Sequence, residues 1–201
     1  MQSVDGKILA RIKGRRRGWV FVPGHFLDLG SRDAVDQALS RHARSGDIRK
    51  LARGLYDYPV MHPDLGRVAP STEAIARALV ARDAVRLQPA GAYAANILGL
   101  SEQVPVRVVF LTDGPSRRLR LGNREIIMTH TTPRNMATAG RISGTVIQAL
   151  RHLGQRHVDD QTLSILRRRL SATDKAQLCK DLKYAPAWVA DILRRFTAEG
   201  S

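Results

Sequence analysis

Five polar side chains, Asp33, Gln37, Ser40, Arg41 and Arg44, share one face of a stretch whose other face carries Val35, Ala38, Leu39 and His42 at helical spacing. Gln37 can bond an adenine edge in two places, and Arg41 or Arg44 can do the same with guanine. Ser40 is short enough to let a helix approach a groove. Ser31 and Arg32, at the start of the stretch, suit a phosphate better than a base. Basic groups flank it on both sides, with Arg15, Arg16 and Arg17 upstream and Arg49, Lys50 and Arg53 downstream. Their cations would neutralise a neighbouring phosphate backbone. The chemistry these residues point to is recognition of double-stranded DNA.

Bond-making constellations fare worse. Asp113 and Glu125 are the best candidates for a nuclease carboxylate pair, but position 127 holds isoleucine where such a site needs a lysine. They read instead as a turn aspartate and a strand glutamate. His152, His157, Asp159 and Asp160 straddle a helix end and the next cap, so they read as solvated surface rather than as a metal cluster. No phosphate-cradling glycine loop and no nucleotidyltransferase acidic triad occurs. The expectation is a non-enzymatic chain with no catalytic residues, no metal and no cofactor.

The elements that would position the polar face can be read outward from it. Gly30 suits a left-handed helix stop, Ser31 caps the next helix, and Asp33 in its first turn complements the helix dipole. Gly46 and Asp47 end that helix. Two short apolar segments follow, Ile48–Ala52 and Leu55–Tyr58, hinged at Arg53-Gly54. Upstream, residues 4–14 predict a helix with Ile8, Leu9 and Ile12 on one side, Trp19–Val22 a short strand, and Pro23–Leu29 a short second helix. Helix, strand, helix, helix and hairpin in this order make a winged helix-turn-helix over residues 1–58.

The run from Trp19 through FVPGHFLDLGSRDAVDQALSR to IRKLARGLYDYP resembles the N-terminal domain of the AbiEi family of bacterial antitoxins, from type IV toxin-antitoxin systems. GLYDYP, after a basic residue, is the most specific part, and the resemblance continues more weakly through PSTEAIARAL and VFLTDG. It implies a repressor that binds inverted repeats in its own promoter, in an operon shared with a nucleotidyltransferase-like toxin. It also implies that the C-terminal region counters that toxin without a stable complex. His42 departs from the aliphatic residue expected there, and a buried histidine needs a hydrogen-bond partner.

Composition supports a polyanionic partner. The 201 residues carry 33 Lys and Arg against 18 Asp and Glu, a net charge of +15. The excess is spread out, at +6 over residues 1–58, +4 over 59–140 and +5 over 141–201. The single cysteine, Cys179, rules out an internal disulfide. With no apolar run of about 18 residues and no signal-peptide core, a cytoplasmic protein without membrane contact is expected.

Pro59, Pro63, Gly66 and Pro70 mark residues 59–70 as a linker. Residues 71–201 then read as an α+β domain. It should hold a helix capped at Ser71 or Thr72, an alanine-rich helix from about Pro89 to Leu98, and strands at 106–112, 117–121 and 124–131. Several amphipathic helices follow from Pro133. The fold class is α+β, a winged helix followed by a small sheet and a helical C-terminal part. The rival readings are a winged-helix adaptor or RNA-binding protein without antitoxin activity and, more weakly, a degenerate nuclease.

Overall fold

Ser3 opens the first helix by accepting the Gly6 amide at 3.2 Å, and α1 (Val4–Lys13) then buries Ile8 and Ile12 on one side. The computed structural model describes residues 3–198, a mixed α+β chain that divides into two compact units between Ala84 and Val85.

In the first unit α1 is followed by β1 (Val20–Phe21), a single 3-10 turn at Pro23–Phe26, and α2 (Arg32–Ser45). The 3-10 turn is shorter than the helix expected over 23–29. His25 Nδ1 accepts the Val22 amide at 3.2 Å, which closes the turn locally. Ser31 caps α2 as expected, its hydroxyl accepting from Ala34 N at 3.3 Å. Gly30 differs from its expected role, because it is absent from the residues with positive φ. A Cβ there would lie 2.9 Å from Val4 Cγ1, so Gly30 is needed for the close approach of α1. The left-handed residue is Gly46, at φ 85°, which ends α2.

The hairpin that follows pairs β2 (Arg49–Ala52) with β3 (Leu55–Asp57), and β1 pairs antiparallel with β3 to give the order β1-β3-β2. One core joins these elements. Ile8 and Ile12 of α1 meet Phe21, Phe26, Val35, Ala38, Leu39, Ile48 and Tyr56. Phe21 and Phe26 meet edge to face at 5.6 Å.

Residues 59–70, expected as an irregular linker, hold a second small hairpin of β4 (Met61–His62) and β5 (Gly66–Arg67). Three arginines clasp its ends. Arg17 donates to Pro59 O at 3.0 Å, Arg49 to Val68 O at 2.8 Å and Arg67 to Gly46 O at 3.1 Å. Capped by Ser71, α3 (Thr72–Asp83) packs against β1. The chain therefore divides after α3, not before it as the proline spacing suggested.

The second unit is built on a four-stranded sheet of β6 (Leu87–Ala90), β7 (Arg107–Thr112), β8 (Arg117–Leu121) and β9 (Arg124–His130), in the order β6-β7-β9-β8. β7 and β9 are parallel, and both outer pairings are antiparallel. The hairpin expected at Gly122-Asn123 joins β8 and β9. Pro89 lies in edge strand β6, where its missing N–H is tolerated, so α4 (Gly91–Ile97) starts later than expected.

Beyond the sheet come α5 (Pro133–Met136), α6 (Ile142–Leu153), α7 (Asp160–Arg169), α8 (Ala172–Asp181) and α9 (Ala187–Ala198). Val146, Ile147 and Leu150 of α6 join Leu166, Leu170, Leu178, Val189, Leu193 and Phe196 in one core with α4. The capping box expected at Ser171 and Asp174 is present, with reciprocal bonds of 3.1 and 3.0 Å. Among the described residues no helix is long and apolar enough to cross a membrane.

Candidate nucleic-acid interface

The α2 face that carries the polar residues is exposed at Asp33, Gln37, Ser40, Arg41 and Arg44, while Val35, Ala38, Leu39 and His42 are buried behind it. The structure sorts these side chains by what they already hold. Arg32 Nε bonds Asp36 one turn on, at 2.9 Å. Arg41 reaches back to α1, where its Nη2 and Nε meet Asp5 Oδ1 at 2.7 and 3.1 Å. Among the described residues Arg44 bonds only Ser40 O, at 3.4 Å, and Gln37 and Ser40 stand exposed beside it. Gln37, Ser40 and Arg44 are therefore the open part of the face, and Arg41 lies at its rim, turned towards α1.

His42 resolves its departure from the aliphatic stripe through two carboxylates. Nδ1 lies 3.3 Å from Asp47 Oδ2, and Nε2 lies 3.2 Å from Asp5 Oδ2 but off the line of a hydrogen bond. Asp47 is held below the usual carboxylate range, first by the Ser45 hydroxyl at 2.7 Å and then by the His42 ring. Asp5 and Asp47 thus fix the C-terminal turns of α2 to their surroundings through His42, Arg41 and Ser45.

Adjacent residues on the hairpin have opposite fates. Lys50 points to solvent, as does Arg53 at the turn, whose carbonyl accepts from Arg82 of α3 at 3.3 Å. Arg49 turns inward. It grips Asp57 through Nε at 3.0 Å and Nη2 at 2.6 Å, and Asp57 is fully buried. Arg49, expected to contact phosphate, is instead the counter-ion of a buried carboxylate. The opposite charges could have been found in the sequence, since a two-residue turn at 53–54 sets Arg49 within one residue of facing Asp57. A register shift between Lys50 and Ala52 completes the pairing.

The upstream arginines also divide. Arg17 is spent on Pro59 O and lies over the Tyr58 ring at 4.6 Å. Arg15 rests over Trp19 at 5.3 Å, and its cation, after burial, helps push the His25 imidazole below its ordinary value. Arg16 is exposed. Gly14 to Trp19 line an open groove of about 460 Å³.

In GLYDYP each residue after the turn glycine has work to do. Leu55 and Tyr56 are buried, Asp57 holds Arg49, and Tyr58 and Pro59 hold Arg17.

The carboxylates considered for cleavage do not converge. Arg107 faces Glu125 in register while Thr112 faces His130, which sets Glu125 and Asp113 at opposite ends of the β7–β9 pair, on the order of 20 Å apart. Glu125 pairs with Arg107 at 3.4 Å and Asp113 with Arg86 at 2.8 Å. Asp159 caps α7 through Thr162 N at 2.8 Å, and His157 Nδ1 lies 3.0 Å from Leu153 O. Among the described residues no three His, Cys, Asp or Glu side chains form a group able to hold a metal.

No curated protein matches the chain. A family model does, over residues 7–178, from within α1 to within α8. With most of its length matched, the chain belongs to DUF6088, a family of unknown function.

Proposed function

We propose that the first unit is a winged helix-turn-helix that reads duplex DNA, and that the protein is a cytoplasmic, non-enzymatic antitoxin and autorepressor. It binds inverted repeats in its own promoter and counteracts a nucleotidyltransferase-like toxin without a stable complex. The toxin partner rests on the AbiEi resemblance of the Trp19–Pro59 run. The DNA reading rests on one observation of the fold: helix, strand, turn, helix and hairpin close into a β1-β3-β2 sheet that leaves the Gln37, Ser40 and Arg44 face of α2 uncovered.

In this arrangement Gln37 and Arg44 address base edges. Ser31 and Arg32 at the start of α2 meet phosphate, and Lys50, Arg53, Arg15 and Arg16 neutralise the backbone on either side. Arg41, Arg49 and Arg17 hold these elements in place.

The test is a binding titration of the full chain against duplex DNA from upstream of its own gene and against a scrambled duplex, at fixed salt. The promoter DNA should bind about a thousandfold more tightly or better, and equal affinity for the two would refute the reading. For the antitoxin part, Gln37→Ala with Arg44→Ala should abolish repression of a reporter while still protecting cells that make the toxin from a separate promoter. Loss of protection in a folded, abundant double variant would assign antitoxicity to DNA binding.

A further inference from the structure

The second unit contains a cleft that the DNA reading does not use. The chain leaves β7 through residues 113–116 and crosses to β8, which lies beyond β9. It leaves β9 for α5 and α6, and α6 packs on β6, which lies beyond β7. The two connections therefore cross at the carboxyl ends of β7 and β9, and the residues that begin them wall a crevice there. Here the crevice is a cleft of about 540 Å³ lined by Arg86, Asp113, His130, Thr131, Thr132 and Pro133. That volume suits a small molecule.

The lining has a directed chemistry. His130 Nδ1 lies 3.0 Å from Gly114 O, so it carries the proton and donates to that carbonyl, which leaves Nε2 as an acceptor for the hydroxyl hydrogen of a monoprotonated phosphate. Asp113 is saturated by Arg86, accepting its amide and its Nε at 2.8 Å each, and is held below the usual carboxylate range by those bonds. The guanidinium keeps its Nη2 edge, since Nη1 reaches only Met136 O at 3.5 Å. Thr132 makes no side-chain capping bond to α5, and Thr131 Oγ1 takes a bond from Asn135 at 2.8 Å. A guanidinium edge, an imidazole nitrogen and a hydroxyl therefore line the same cleft as the exposed ring of Pro133. These are groups that grip the oxygens of a tetrahedral anion while an apolar surface meets whatever the anion is attached to.

We infer that this cleft binds the phosphate of a small phosphomonoester, with Arg86, His130 and Thr132 as its ligands. The site is independent of the α2 face and lies entirely within the second unit.

The test uses the full chain, isotope-labelled for NMR, titrated separately with inorganic phosphate, a nucleoside monophosphate and the matching nucleoside. Phosphate and the monophosphate should both shift the His130 ring and the amides of residues 130–133. The monophosphate should bind the more tightly, and the nucleoside should leave these signals unmoved. Thr132→Val, at an exposed position with no capping bond to lose, should weaken the monophosphate about tenfold, and His130→Gln should do so by a similar factor. Saturation by inorganic phosphate alone, with no gain from the nucleoside, would identify free phosphate as the occupant.

Three results would overturn the site: no shift at residues 130–133, equal binding of the nucleoside, or shifts spread over basic residues elsewhere that Thr132→Val leaves unchanged. DNA binding by the first unit is measured separately, so loss of either conclusion leaves the other standing.

Discussion

Arg49 and Lys50 are neighbours of like charge for which the structure predicts opposite consequences. Asp57 is completely buried, and its two oxygens are held by Arg49 at 3.0 and 2.6 Å, while the Arg49 side chain keeps only 24% of its exposure. Arg49→Ala leaves that carboxylate without its counter-ion and also frees Val68 O, the carbonyl at the end of the second hairpin. Removing one partner of a buried ion pair costs about 3–5 kcal/mol, and the partial exposure of Arg49 puts the value near the lower end, about 3 kcal/mol.

A unit ending at Ala84 is in the size range where each kcal/mol moves the melting temperature by roughly 4–8 °C, so its transition should fall by roughly 12–24 °C. Lys50→Ala removes an exposed cation with no partner to orphan. Its melt should stay within about 0.5 kcal/mol of the parent, while the dependence of log K on log salt for DNA should flatten by roughly 0.9. Calorimetric melting of the full chain and a salt-dependent binding titration measure the two effects. The double change Arg49→Ala with Asp57→Ala should recover part of the lost stability, since the orphaned charge is gone. The assignment fails if Arg49→Ala melts like the parent while weakening all DNA alike, because Arg49 would then be a phosphate contact.

Gln37→Ala and Arg44→Ala should each cost about 1–3 kcal/mol of promoter binding and relax preference at one base pair. Arg41→Ala, which breaks a half-exposed pair with Asp5, should cost no more than about 1 kcal/mol of stability and should affect promoter and random DNA alike in binding titrations. Gly144→Ala should destabilise the second unit by roughly 1–3 kcal/mol in a denaturant melt despite the better helix propensity of alanine. The new Cβ would lie 2.6 Å from the Thr138 carbonyl and would press on the buried Gln88 amide. His25 is pushed below its ordinary value of 6.5 by burial and by the Arg15 cation. Unfolded chains then bind its proton more readily than folded ones, so its contribution is complete above about pH 6.5 and declines as pH falls through the lowered folded value. His25→Gln should flatten that part of a stability-against-pH profile, and an unchanged profile would remove His25 as its source.

Local order was legible in the sequence wherever a short-range rule governs it. The apolar stripe of α2, the Ser31 cap, the Ser171–Asp174 capping box and the Gly122-Asn123 hairpin are each set by residues within one or two turns of one another, and each appears where expected. The polar face of α2 was equally legible, because helical periodicity alone separates Gln37, Ser40 and Arg44 from Val35 and Leu39.

Tertiary structure decided which cations are free. Arg17, Arg41 and Arg49 look like Arg16, Arg44 and Lys50 in composition, yet each holds a carbonyl or carboxylate brought to it by the fold, from Pro59, Asp5 and Asp57. The insertion of β9 between β7 and β8, the place of α3 in the first unit and the cleft beside His130 belong to the same class. They depend on which segments meet across dozens of residues, and periodicity carries no information at that range, since a strand or helix pattern records which side is buried and not what buries it.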